Sequence, residues 1–339
     1  NIFMDKQESF VAAMDSTGRF SVRVPLVNTS EIYIDIGRKG INTVVEPGET
    51  YFLLHDFSTG HVLFMGEDVR LQNELQTHPP LYVDGYLRKG QGTVDEFRIQ
   101  MEEKYRHAVE ELSRRVEEHP NLSRRYRYYM ESFALTGLGR SMMQARFVVP
   151  DWQLPEDYVD FVRTKVWQRP SKPYTLCQNF GILMRDYIGH FSEAKDKARG
   201  NAVFNAFKRL RQQGEISMTE EEANTVEAYQ LAVRELQEKL NAEPSDSLRQ
   251  RMVVELGKSE LSQRFMSLVT RFEDVLNEEI LIDNIDFWKE DAESVGCDSI
   301  LCQIHLARKL YGLIDNMRKP LPDRMMAVSY THLRAHETS

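Results

Sequence analysis

Cysteine is scarce: 339 residues hold only Cys177, Cys297 and Cys302, and no two of them have the spacing of a C-x-x-C redox pair. Three thiols do not make a disulfide framework, and they say nothing about compartment. Long apolar runs are missing as well. No stretch of about eighteen apolar residues exists, so nothing in the sequence reads as a bilayer span. Positive charge is in deficit, with 43 lysines and arginines against 52 aspartates and glutamates and a formal net charge of −9. Binders of nucleic acid or anionic membranes need a basic footprint to displace counterions, so this balance argues against both. What remains is ordinary for globular domains: 41% apolar and 28% charged residues, in a chain long enough for two or three cores.

The ends carry their own signals. Asn1 opens the chain with no initiator Met, no basic n-region and no apolar h-region, which is compatible with a signal peptide lost upstream. Residues 328–339 resemble translated sequencing-adapter read-through and are set aside as a probable artefact. His332 and His336, four apart as metal ligands on one helix face would be, fall in that stretch and are not taken as a site.

Residues 1–78 read as an antiparallel β domain closed by a short helix. Phe20, Val22 and Val24 alternate with Arg19, Ser21 and Arg23, and Ile32, Ile34 and Ile36 alternate in the same way. A period of two marks a half-buried strand, because successive side chains point to opposite faces. Tyr51–Leu54 and Val62–Met65 are apolar throughout, which predicts strands covered on both faces. Turn residues fall between the runs, at Asp15–Gly18, Gly37–Gly40, Pro47-Gly48 and Ser58–Gly60. A small β-sandwich-like arrangement is expected, with Val22→Asp unfolding it.

Residues 79–92 read as a linker, and 93–327 as an antiparallel α-helical domain. The fold class expected is therefore α+β. Thr93 and Glu96 have the spacing of a capping box, ahead of an apolar stripe through Val94, Phe97, Met101, Tyr105, Ala108, Leu112 and Val116. Thr219 and Glu222 repeat the box ahead of Val226, Tyr229, Val233, Leu236 and Leu240. A third stripe runs through Leu261, Phe265, Leu268, Phe272 and Val275. His119-Pro120, Gly200 and Glu243-Pro244 are the expected stops.

One series in the β region matches a known pattern. Asp15-Ser-Thr-Gly-Arg-Phe20, Pro25-Leu-Val-Asn-Thr-Ser30, Val45–Leu54, Leu63-Phe-Met-Gly66 and Arg70-Leu-Gln-Asn-Glu-Leu75, in that order, resemble the region ahead of the thioredoxin domain in TlpA-like thiol:disulfide interchange proteins. The resemblance is close over residues 1–77 and loose beyond. It implies a signal peptide or lipid anchor, periplasmic or cell-envelope placement, and a downstream thioredoxin-like domain of the same polypeptide bearing W-C-x-x-C. It also implies disulfide-containing protein substrates. In that light the chain is the non-catalytic front part of a longer protein, placing its partner domain; no catalytic residue transfers, and no cofactor or metal is expected.

Other clusters were weighed on their chemistry. Cys297, Cys302 and His305 offer soft ligands, but on one continuous helix the two cysteines would lie about 140° apart. They and Cys177 are expected as buried thiols. Arg124–Tyr129 mixes bases with aromatics as single-strand binders do, yet a helix with its tyrosines inward accounts for it equally. Asp283, Asp286, Glu290 and Asp291 could supply an acid and a base, though an exposed acidic face is the expectation. The aromatics of the connector, Trp152, Tyr158, Trp167 and Tyr174, are the candidate interaction surface. They would line a groove for a glycan or peptide in a cell-surface binding module, or else cap the helical core.

Overall fold

The computed structural model describes residues 9–26, 29–36, 40–150, 153–168, 177–243 and 245–315. Four strands come first: β1 (Ser30–Asp35), β2 (Gly40–Val45), β3 (Phe52–Asp56) and β4 (His61–Met65). They pair as two antiparallel hairpins, with Ser30 opposite Val45 in one and Phe52 opposite Met65 in the other. Among the described residues eleven α-helices follow. These are α1 (Arg70–Thr77), α2 (Val94–Glu118), α3 (Arg124–Gln144), α4 (Glu156–Val162), α5 (Gln178–Arg199) and α6 (Ala202–Gln213), then α7 (Glu220–Ala242), α8 (Asp246–Lys258), α9 (Glu260–Arg271), α10 (Glu273–Ser294) and α11 (Ser299–Asp315). The α+β layout read from the sequence is the one found.

The hairpins share one core. Ile41 from β2 and Val62 and Phe64 from β4 are buried together, with Ile34, Tyr51 and Leu53 packed against them. The β3–β4 turn is set by Asp56, whose carboxylate accepts from the Ser58 amide at 2.8 Å and the Thr59 hydroxyl at 2.7 Å, while Gly60 takes φ 71°. Helix α1 then seals one free edge of each sheet. Gln72 Nε2 donates to the Val44 carbonyl at 2.8 Å and Gln76 Nε2 to the Asn42 carbonyl at 3.0 Å, along β2. Asn73 does the same for β4, exchanging two hydrogen bonds with the Phe64 backbone. Amide side chains here take the place of a further strand.

Two expectations fail. Arg19–Val24 is not a strand: the Asp15–Gly18 turn forms, with Gly18 N–H donating to the Asp15 carbonyl at 3.0 Å, but the segment after it pairs with no described strand. Alternation says which face a strand would bury; it cannot supply the neighbouring backbone. Val22 is 45% exposed, so Val22→Asp removes little burial and the expected unfolding does not follow. The second failure is at β3 and β4, which are covered on one face only. Phe52 and Leu54 are 63% and 56% exposed, and Leu63 and Met65 opposite them also reach solvent.

The chain divides into two compact units, residues 1–191 and 192–339, at a point within α5. In the first, residues 79–92 hold no helix or strand and run along α3. Gly85 N–H donates to Ser141 Oγ at 3.1 Å, Arg140 pairs with Asp84 at 3.0 Å, and Val83 is buried. Helix α3 is buried on nearly every side, from Tyr126 and Met130 to Leu138 and Met143. Gly139 lets it be approached closely: a Cβ there would stand 2.8 Å from Val166 and 2.9 Å from Leu183. The Thr93–Glu96 box caps α2 as expected, and the stripe behind it buries Phe97, Met101, Ala108 and Leu112.

In the second unit the Thr219–Glu222 box caps α7. Val226 of α7, Phe265 and Leu268 of α9, Phe204, Phe207 and Leu210 of α6 and Leu276 of α10 form one core, with Tyr229 stacked on Phe265 at 4.3 Å. A smaller core joins α10 and α11 through Leu281, Ile285, Leu306 and Leu310. The three expected stops hold, since α2 ends at Glu118, α5 at Arg199 and α7 at Ala242.

Candidate functional site

Of the connector aromatics, Trp152 and Tyr174 lie outside the described residues, as do His332 and His336. The two that are described go to the core of the first unit. Tyr158 of α4 is fully buried, and its hydroxyl donates to the Met142 carbonyl at 3.1 Å. Burial drives that phenol well above its ordinary pKa, so it stays neutral. Trp167 closes a π-helical turn, Arg163–Trp167, and stacks on Tyr187 at 4.5 Å and Phe180 at 6.2 Å. Tyr158 is therefore no part of an open groove, and Trp167 is half-buried against α5.

The thiols are all free and all withdrawn. Cys177 is completely buried, and burial holds it well above the usual thiol range. Burial pushes Cys297 up to about 12 and raises Cys302 as well. None is a nucleophile at neutral pH, because the thiolate is the attacking form. Cys297 also proves to lie ahead of α11 rather than on it, which removes the separation a continuous helix would impose. His305 is buried with a pKa pushed down to about 3, chiefly by desolvation and then by Lys309 and Arg308. No group of three or more metal-ligating side chains is assembled among the described residues.

The acidic residues split in two. Asp286 and Glu290 are exposed, as expected, but Asp283 and Asp291 are not. A spacing of eight puts them on one face of α10, with Phe287 between them beneath the Arg199 guanidinium at 4.7 Å. Asp283 is held by Arg199 and by Arg209, the latter at 2.9 Å. Asp291, 3% exposed, accepts from Lys195 at 3.2 Å, and Lys195 also reaches Ser294 at 3.1 Å. Each of these two carboxylates thus faces at least one cation. Such pairs orient packed helices.

The basic-aromatic run at 124–129 resolves into packing. Tyr126 and Tyr129 are buried, the Tyr129 hydroxyl donates to Glu31 at 2.7 Å, and Arg125 pairs with Glu46 and Asp68. Tyr128, the third tyrosine of the run, is half-buried. No helix among the described residues is long and apolar enough to cross a membrane.

What the sequence reading overlooked is the outward face of β3–β4. Phe52 lies opposite Met65 and Leu54 opposite Leu63, so four apolar side chains form two cross-strand pairs in solvent. The signal lies in the unbroken apolar runs Tyr51–Leu54 and Val62–Met65, a pattern that two-sided coverage would produce equally. Among the described residues β3 pairs with β4 alone, and no further strand bonds its other edge. This exposed face, on a hairpin fixed from behind by α1, is the candidate interaction site. Comparison of the chain with protein-family models, with curated proteins and with solved structures yields no match.

Proposed function

We propose that this chain is the non-catalytic front part of a periplasmic or envelope-associated thiol:disulfide interchange protein of TlpA-like type. In this reading it is a scaffold that positions a thioredoxin-like domain of the same polypeptide and the disulfide-bearing protein on which that domain acts. The observation that carries the reading is the apolar outer face of β3–β4, since isolated patches of this kind mark protein contact sites. Two further features support it. Residues that carry the family resemblance are spent on architecture, as Gln72 and Asn73 show by closing sheet edges. The thiols of this chain form no C-x-x-C pair and are raised by burial, so exchange at them is slow and rapid exchange is left to the attached domain. The deciding experiment is to read the gene past Ala327. A frame that encodes W-C-x-x-C within about one domain length, roughly 50–250 residues, is expected; a frame that closes without it removes the proposal.

A second reading is favoured by the open edge of β3. An extended peptide could add there as a strand and set alternate side chains on Phe52 and Leu54, making the chain a peptide-binding module at the cell surface. A peptide array or glycan array probed with the chain alone separates the two, because the scaffold reading expects no signal from either.

A further inference from the structure

The corner between α10 and α11 places two thiols together by backbone geometry alone. Helix α10 ends in a Schellman turn: Gly296 takes φ 81°, its N–H donates to the Glu293 carbonyl at 3.0 Å, and the Cys297 N–H donates to the Ala292 carbonyl at 3.0 Å. The next residue begins the following helix. Asp298 caps α11, its carboxylate accepting from the Leu301 amide at 2.9 Å and its carbonyl from the Cys302 amide at 2.9 Å. Cys297 is thus the last residue of one motif and the residue before the cap of the next. Side chains before the cap and at the fourth helical position pack on one another in the hydrophobic staple, and here those positions are Cys297 and Cys302. The Cys302 thiol is turned back toward Cys297, donating to its carbonyl oxygen at 3.7 Å.

We infer that Cys297 and Cys302 close reversibly into a disulfide that pins the start of α11 to the end of α10. The inference does not depend on the proposed function. The co-reactant is a small-molecule disulfide such as glutathione disulfide. Cys297, the more open of the pair, attacks it as the thiolate and releases one glutathione thiolate, leaving a mixed disulfide. Cys302, deprotonated in turn, attacks the Cys297 sulfur and expels the second. The two protein thiols lose two electrons and two protons, and one glutathione disulfide becomes two glutathiones. Burial opposes the thiolate intermediates and makes each step slow, but it does not oppose the product, because a disulfide carries no charge to desolvate. Cys177 belongs to the other compact unit and serves as an internal control.

The test uses the whole chain. Protein equilibrated in mixtures of reduced and oxidised glutathione at mildly alkaline pH is quenched with acid, alkylated in denaturant and digested without reduction. The expected product is a peptide carrying both Cys297 and Cys302, unalkylated and lighter by two hydrogen atoms than its reduced form, with Cys177 alkylated. The oxidised protein should also melt at a higher temperature than the reduced protein, and Cys302→Ser should abolish the difference. Alkylation of both cysteines across the whole oxidising range would overturn the inference. So would stable glutathione adducts on either cysteine without the internal bond.

Discussion

Asn73 closes the free edge of β4 at a single residue, Phe64. The Phe64 amide donates to Asn73 Oδ1 at 2.8 Å, and Asn73 Nδ2 donates back to the Phe64 carbonyl at 2.9 Å. A side-chain amide has one donor end and one acceptor end at about the spacing of a strand's own N–H and C=O, so it satisfies both at once. Asn73→Ala should therefore leave two backbone groups unpaired and cost about 1–3 kcal/mol. Chemical denaturation of the variant measures this, and Asn73→Asp should rescue only the half in which Phe64 donates.

Position 22 should tolerate charge. Val22 is half in solvent, and substitutions at such sites stay within about 0.5 kcal/mol. Phe64→Ala, in the core shared by the two hairpins, should cost about 3–5 kcal/mol. Thermal melts of the two variants side by side check the contrast.

Gly139 should resist the change that helix propensity favours. Alanine is the better helix former by about 1 kcal/mol, yet its methyl would press on Val166 and Leu183, both buried. Overpacking of this kind costs about 1–3 kcal/mol, so Gly139→Ala should come out destabilised or at best unchanged. A denaturant midpoint that rises would contradict the close approach.

His305 should make the protein acid-sensitive. Its folded pKa is depressed to about 3 from an ordinary 6.5, so below the latter value the unfolded chain binds a proton that the folded chain refuses. Stability is then lost as pH falls from 6.5 toward 3, by up to about 1.4 kcal/mol per pH unit. Two units below the ordinary value the loss reaches about 3 kcal/mol, and His305→Gln should remove most of it. Denaturation curves across that window, wild type against variant, read the difference.

The outer face of β3–β4 should be dispensable for folding. Phe52→Lys and Leu63→Lys are expected to change stability by less than about 0.5 kcal/mol while, on the proposed function, weakening association with a thioredoxin-like domain or its protein substrate. Denaturation and a binding titration on the same variants are the paired measurements.

Local rules were readable from the sequence. The boxes Thr93–Glu96 and Thr219–Glu222 need only their own few residues, and both formed, as did the three helix stops. Relations that need a distant partner were not readable. Phe20, Val22 and Val24 alternate correctly but have no neighbouring strand to bond among the described residues. Asp291 and Asp286 look equivalent in sequence, and only the packing of α10 sends one to Lys195 and the other to solvent. Cys297 and Cys302 escape the separation of a continuous period for a smaller reason: α11 begins at Ser299, two residues past Cys297. The unbroken apolar run at Tyr51–Leu54 was the most misleading signal, since exposure for contact and burial on two sides write the same residues.

Helix α3 leaves almost no outward side for a substitution to land on. Change along it has to come in matched sets, a smaller residue here answered by a larger one on α5 or in the π-helical turn. As the surfaces of related proteins drift apart, this inner post is where a shared ancestry would stay visible longest.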